Sequence, residues 1–225
     1  MRVVTIDGPA GAGKSTVAQQ VAERLGMGYL DTGAMYRAVA HLAARGGVEA
    51  TDGEQLAAIA RGHRWAMRPM PGGMAIAVDG TDVTEQIRRP EVTASVSTVA
   101  AHAGVRAAIT AVQREVLGNG SWVCDGRDVG TTVWPDAELK VFLTASAAER
   151  ARRRFAELTA RGTPEPLADV EAAIAARDHL DATRAASPLR AAADAIRLDT
   201  SDLTIEQVVT TIVGWAEHAR QRVAP

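Results

Sequence analysis

Residues Gly8–Thr16 read Gly-Pro-Ala-Gly-Ala-Gly-Lys-Ser-Thr, a full G-x-x-x-x-G-K-[ST] loop. Val3-Val4-Thr5-Ile6 before it reads as a strand, and an amphipathic helical pattern follows, the setting in which this motif cradles phosphate. Few local patterns constrain a fold so tightly. Strand, loop and helix must meet so that backbone N–H groups and the positive end of the helix converge on one polyphosphate. Gly8, Gly11 and Gly13 free the backbone to curl, and Pro9, Ala10, Ala12 and Thr16 complete the cradle. Lys14 can reach terminal phosphate oxygens, and the Ser15 hydroxyl can ligate Mg²⁺. The chain has only two lysines, Lys14 and Lys140, and one of them fills the motif position.

The remaining pattern alternates strand and helix. Strands are expected at 2–7, 28–31, 121–125, 139–143 and 195–199, with helices between them. This predicts an α/β chain of the P-loop NTPase class: a five-stranded parallel sheet flanked by helices, with ligands outside the carboxyl ends of the strands. Val17, Val21 and Leu25 mark the first helix, and Gly26 and Gly28 stop it. His63–Arg68, Gly73–Asp79 and Thr81–Val83 read as short β segments separated by Pro69, Pro71, Gly72-Gly73 and Asp79-Gly80. Asp79-Gly80 suits a tight hairpin, so a small antiparallel insert is expected, with an irregular surface excursion as the alternative. Pro90 to Leu117 reads as helical, with Val92, Val96 and Val99 along one stretch and Val105, Ile109, Val112 and Val116 along the next. Arg161–Leu167, with Gly162, Pro164 and Pro166, reads as a loop between two charged helices. Thr204 with Gln207 three residues later signals the start of a last helix.

Length and charge narrow the function classes. At 225 residues the chain can hold one α/β core with insertions or two small domains. A formal net charge of -2 implies no global attraction to nucleic acid or an anionic membrane, so anion binding must come from clustered arginine. The single cysteine, Cys124, allows no intrachain disulfide and no Cys-based metal site. His41, His63, His102, His179 and His218 are scattered without ligand spacing. No signal-peptide pattern opens the sequence and no apolar run is long enough to span a membrane, so a cytoplasmic setting is expected.

Charged residues gather at the expected strand ends. Asp31-Thr32-Gly33 follows the second strand, with Tyr36 and Arg37 on the next helical turn. Arg37 there can clamp a second phosphate, or it can be a solvated helix charge. Asp125-Gly126-Arg127-Asp128 follows an apolar strand. A carboxylate in it can support Mg²⁺ or a substrate group, and Arg127 can stabilise charge on a moving phosphoryl, the alternative being a surface salt-bridge set. Asp7 suits either a cap or a polar role near the site. Arg150, Arg152, Arg153 and Arg154, with Arg177, Arg184 and Arg190, form a basic reserve of which at least two are expected on solvated faces.

Several segments together resemble the bacterial cytidylate kinases, small nucleoside monophosphate kinases acting on CMP and dCMP. They are Ile6–Thr16, Asp31–Arg37, Val83–Val92 with Ile87-Arg88, Asp125–Thr131, Pro135-Asp136-Ala137, Arg177-Asp178 and Pro188-Leu189. The likeness runs in order along nearly the whole chain. It implies ATP and CMP or dCMP as substrates, Mg²⁺ as cofactor, no nucleic-acid or membrane partner, and a monomer. It implies that Lys14, Arg37, Arg127 and Arg184 are catalytic, and that Ser97, Arg106, Asp128, Arg177 and Asp181 read the base and sugar. Arg37, Arg127 and Arg184 would hold the monophosphate. It divides the chain into a core (1–59, 86–145, 168–225), a monophosphate-binding β insert (60–85) and a helical lid (146–167) carrying Arg150 and Arg153. Leu180 and Ala182 stand where some relatives carry further lid arginines, His179 and Thr183 also differ, and Ala10 replaces a serine. Kinases for UMP, AMP or shikimate, a GTPase-like switch and an ATP-driven motor are the rival readings. The β insert and the Asp125–Asp128 cluster disfavour the first. The second lacks an Asn-Lys-x-Asp guanine reader, and the third lacks an acidic pair after the strand, since glycine follows Asp125.

Overall fold

Strand β1 (Val3–Asp7) is buried at every residue, and the architecture is arranged around it. The computed structural model describes residues 2–70, 73–160 and 162–223. The expected separators Pro71 and Gly72, and Arg161 at the start of the expected loop, lie outside these residues. β1 pairs in parallel with β6 (Trp122–Gly126) on one side and β7 (Leu139–Thr144) on the other. β2 (Gly28–Asp31) extends the sheet beyond β6, and β8 (Ile196–Asp199) extends it beyond β7. The order β2-β6-β1-β7-β8 is that of a P-loop NTPase sheet with all five strands parallel. Chain direction therefore brings the ends of β1, β2 and β6 to one edge, where Asp7, Asp31 and Asp125–Gly126 sit side by side in register.

The flanking helices form because their apolar residues recur at helical spacing. Val17, Ala18, Val21 and Ala22 are the buried face of α1 (Lys14–Leu25). α1 starts at Gly13 (φ 81°) and ends at Gly26 (φ 63°), whose N–H closes the last turn on Ala22 and Glu23. Asp31 caps α2 (Thr32–Arg45) by accepting the Ala34 N–H. Asp52 caps α3 (Gly53–Gly62) in the same way through Gln55. The last helix, α8 (Ile205–Val223), packs Val208, Val209, Ile212 and Ala216 into the core.

The antiparallel insert is present. β3 (Trp65–Met70), β4 (Gly73–Val78) and β5 (Thr81–Asp82) form a three-stranded sheet. Asp79 (φ 50°) and Gly80 (φ 83°) make its two-residue turn, both in the left-handed region as a tight hairpin demands. The helical pattern expected over Pro90–Leu117 forms two helices, α4 (Pro90–Ala101) and α5 (Ala103–Leu117), one for each apolar stretch. His102 breaks it with ψ 121°, its ring tied through Nε2 to the Ala50 carbonyl at 2.9 Å. Tertiary anchoring of one side chain here overrides a helical run. After β7 come α6 (Ala147–Ala160) and α7 (Leu167–Thr183). Ala151, Leu158, Val170 and Ile174 form a small apolar cluster of their own, so these two helices grip each other apart from the main core.

Close approach at the loop's first residue generates a stability prediction. A Cβ on Gly8, whose φ is +150°, would lie 2.1 Å from the Leu143 carbonyl oxygen of β7. Backbone cannot yield as a flexible side chain would, so Gly8→Ala must push β7 off β1. We expect a loss of at least about 2 kcal/mol in urea unfolding, read as a lower midpoint at unchanged m-value.

Candidate active site

The phosphate loop joins β1 to α1 at the carboxyl edge of the sheet. Gly11 (φ 74°) and Gly13 (φ 81°) take the left-handed conformations that curl it. Lys14 is buried, and its Nζ donates to the Pro9 carbonyl across the loop at 2.7 Å. Burial, and then the nearby Arg127 charge, push its pKa well below the usual lysine value. Ser15 Oγ donates to Asp125 Oδ2 at 2.9 Å, and Tyr29 Oη donates to Asp125 Oδ1 at 2.7 Å. A hydroxyl and a carboxylate thus meet beside the loop. Burial, reinforced by the charge of Asp31, raises the Asp125 pKa to about 6. Among the described residues no three His, Cys, Asp or Glu side chains gather as a metal cage. The Ser15–Asp125 pair nonetheless fits Mg²⁺, which takes one or two protein oxygens and fills its other positions with water and substrate phosphate.

Asp7 has a structural task. Its two carboxylate oxygens accept the N–H groups of Val129 (2.9 Å) and Gly130 (2.8 Å), holding the wide turn 129–133 that follows β6. Burial raises its pKa to about 6 against the pull of those two donors. The cap reading of Asp7 holds, although what it caps is a turn distant in sequence.

Arginines and aspartates interlock next to the loop. Arg37 lies on the first turns of α2, and its Nη2 contacts Asp31 Oδ2 at 2.5 Å. Burial works against the charge of Arg37, but Asp31 prevails and the guanidinium pKa is raised. Asp128 sits between two guanidinium groups, Arg106 Nη2 at 2.5 Å and Arg184 Nη2 at 3.2 Å. Arg184 also approaches Asp181 Oδ1 at 3.5 Å, and Arg127 Nε donates to Asp181 Oδ2 at 2.9 Å. Arg106, Asp128, Asp181 and Arg184 are all buried. Arg106 comes from α5, Arg127 and Asp128 from the end of β6, and Asp181 and Arg184 from the end of α7, so three distant segments close one network. The Arg106 guanidinium lies over the Tyr36 ring, 5.2 Å from its centroid. Burial and the neighbouring Arg127 lower the Arg177 pKa to about 10, and its Nε is buried without a hydrogen-bond partner among the described residues. Ser97 stands half-buried on α4, outside the ion-pair network.

Arg150 and Arg153 on α6 have different tasks. Arg150 Nη1 donates to the Ala10 carbonyl at 2.9 Å and pairs with Asp178. Arg153 turns to Thr200, donating to its carbonyl at 2.6 Å and its hydroxyl at 3.0 Å, while its Nε is held by Glu149. Arg152, with a 68 % exposed side chain, and the exposed Arg190 are the solvated members of the basic reserve. Sequence reasoning missed Tyr29, which looked like a strand residue, and Asp178, which had only its place beside Arg177 to suggest a role. It also missed Thr200, which follows the last strand with no pattern to mark it.

A phosphate loop, a carboxylate beside its serine and an adjoining network of paired arginines and aspartates are the features of a P-loop kinase. The family model described as cytidylate kinase matches residues 4–218. A cytidylate kinase of Desulfitobacterium hafniense is 51% identical over 93% of this chain and 90% of its own length. A bifunctional pantoate ligase/cytidylate kinase of Synechococcus is 52% identical over 94% of this chain but 45% of its own length. The chain spans about half the length of such bifunctional relatives. A crystal structure of an uncharacterized protein from Eubacterium ventriosum covers 96% of this chain and is itself 99% covered, at a TM-score of 0.52 and 10% identity, and so speaks to the fold alone. The chain belongs to the cytidylate kinase family, a group of nucleoside monophosphate kinases.

The buried Asp125 carboxyl generates a pH prediction. It keeps its proton to about pH 6 in the folded chain, against roughly 3.9 for an unperturbed aspartate. The folded state therefore binds more protons than the unfolded one between those values, and this carboxyl's contribution to stability falls as pH rises through the window. Asn carries no such titration. We expect Asp125→Asn to gain stability relative to the unsubstituted chain between about pH 4.5 and 7.5. Urea midpoints of both proteins at the two pH values check it, and parallel pH dependences would contradict it.

Proposed function

We propose that the chain transfers the γ-phosphoryl group of ATP to CMP and dCMP, giving ADP and CDP or dCDP. Asp128, held between Arg106 and Arg184 and one residue from Arg127, is the observation that carries this reading. Cytosine offers an exocyclic amine, a ring-nitrogen acceptor and a carbonyl. Asp128 can accept from the amine, while Arg106 and Ser97 can donate to the other two. Uracil would present a carbonyl to the same carboxylate, leaving a buried acceptor facing an acceptor. Arg177 and Asp181 are proposed to hold the sugar. Arg37, Arg127 and Arg184 would take the acceptor phosphate.

The loop, Gly8 through Thr16, holds the ATP phosphates in this reading, and Ser15 with Asp125 would hold Mg²⁺. The metal, when bound, supplies charge neutralisation on the phosphates. The acceptor is a phosphate oxygen that is already anionic, so no strong base is needed. An acceptor oxygen forms a bond to the γ-phosphorus as the bond to the β–γ bridging oxygen breaks, and that electron pair leaves on ADP. Lys14, Arg37, Arg127 and Arg184 spread the developing charge. The burial of Lys14 and the partial burial of Arg177 support this, because cations desolvated by the fold gain most from an arriving anion. Residues 146–167 are proposed as a lid excluding water from the transferring group, and 60–85 as the monophosphate-side insert. The apolar grip of α6 on α7 implies that such a lid would draw on α7 as well. A monomer in the cytoplasm, working in pyrimidine nucleotide metabolism, completes the proposal. Among the described residues no helix is long and apolar enough to cross a membrane.

Phosphorylation rates with ATP across CMP, dCMP, UMP and AMP test the acceptor. Removing the base reader should separate the two nucleotides. We expect Asp128→Ala to weaken CMP binding at least about tenfold while ATP binding changes less than about threefold. Calorimetric titration with each nucleotide reads both numbers, and equal losses would refute the assignment.

A further inference from the structure

One peptide group in the phosphate loop is held from both sides. The Pro9 carbonyl accepts Lys14 Nζ at 2.7 Å, and the Ala10 N–H of the same peptide donates to Asp178 Oδ1 at 3.0 Å. A trans peptide points its C=O and N–H in opposite directions. Drawing the N–H outward to α7 therefore aims the carbonyl inward at the lysine. The next peptide is held as well: the Ala10 carbonyl accepts Arg150 Nη1 at 2.9 Å, and Arg150 closes the ring by pairing with Asp178. Arg150 is itself steadied by a bond from Nε to the Ala145 carbonyl at 3.1 Å. Contact is close enough that a Cβ on Gly11 would come within 3.0 Å of the Arg150 Cβ and carbonyl oxygen.

We propose that Asp178 is a positioning residue for Lys14, acting through the Pro9–Ala10 peptide and together with Arg150. The hairpin of α6 and α7, held by its own apolar cluster, sets the loop's outer turn. The loop is thus templated by two helices far along the chain as well as by the strand before it. Asp178 touches backbone, not the phosphate-facing side of Lys14, so its loss should loosen the donor nucleotide and leave the acceptor alone. This inference rests on the loop being the ATP site and is independent of which monophosphate accepts.

The test is calorimetric binding of Mg²⁺-ADP and of CMP to the unsubstituted chain, Asp178→Ala and Asp178→Asn, with thermal unfolding of each. Asp178→Ala is expected to weaken ADP about tenfold, the scale of one charge-assisted hydrogen bond, with CMP changed less than about twofold. Asp178→Asn should recover most of the ADP loss, because its amide oxygen still accepts the Ala10 N–H. Unchanged ADP affinity in a folded Asp178→Ala, equal losses of both nucleotides, or no recovery with Asn would each overturn the proposal. Should Asp178→Ala fail to fold, the Ala10 amide proton is read by NMR in Asp178→Asn. A shift on exchanging carboxylate for amide supports the contact, and an unmoved resonance overturns it. Failure of the unsubstituted chain to phosphorylate CMP would refute the acceptor assignment while leaving the ADP result standing.

Discussion

Concentrated positive charge has to be held in a dry place before any anion arrives, and that requirement shapes this molecule. Lys14, Arg106 and Arg184 are all buried; Arg106 and Arg184 meet on Asp128, and Arg127 and Arg177 lie near Lys14. Like charges so placed would force the structure apart or shed protons. Burial first, and the neighbouring Arg127 after it, lower the pKa of Lys14 and bring that of Arg177 to about 10. Asp128 and Asp181 relieve the repulsion by standing each between two guanidinium groups, and Asp31 by pairing with Arg37. Asp128 and Asp181 are each shared, so Arg184 is divided between two carboxylates. Breaking one such pair would leave an uncompensated buried charge, which costs far more than an exposed ion pair contributes.

Sheet topology makes the sharing possible. Parallel strands deliver Asp7, Asp31 and Asp125 to one edge, and short segments after them deliver Arg37, Arg127 and Asp128. Asp7 then fixes the turn behind Asp128 by gathering two backbone N–H groups that would otherwise be buried unpaired. α5 and α7 bring Arg106, Arg177, Asp181 and Arg184 from outside the sheet. The network therefore spans the strand edge and both helical flanks, and its integrity depends on their relative placement. Arg106 shows this best: its guanidinium is fixed by Asp128 below and by the Tyr36 ring, so α2, α5 and β6 meet at one group.

Most of the fold was legible because its signals are local. Phosphate loop, glycine stops, alternation of strand and helix, and the Asp79-Gly80 hairpin turn all declare themselves within a few residues. Candidate site residues were legible where a strand ended in charge, as at Asp31 and Asp125–Asp128. Other details were not, for one physical reason: they depend on contacts between residues far apart in sequence. Nothing near His102 signals a helix break, because the cause is the Ala50 carbonyl about fifty residues earlier. Tyr29 reads as a strand residue until Asp125 is beside it. The arginines of α6 look alike in sequence, and only the structure separates Arg150 on the loop from Arg153 on Thr200 and Arg152 in solvent.

Arginine dominates this network for a reason that also explains the near absence of lysine. A guanidinium offers several donors in a plane, so Arg184 can engage Asp128 and Asp181 together and Arg150 can engage a carbonyl and a carboxylate together. It also resists deprotonation when desolvated, which an ammonium does not. Lys14 is the exception that the loop requires. Its compact head fits against the Pro9 carbonyl inside the loop's curl. Burial weakens its hold on the proton, and an arriving polyphosphate strengthens it. The charge of the lysine therefore responds to what lies in the loop, while the arginines stay charged around it.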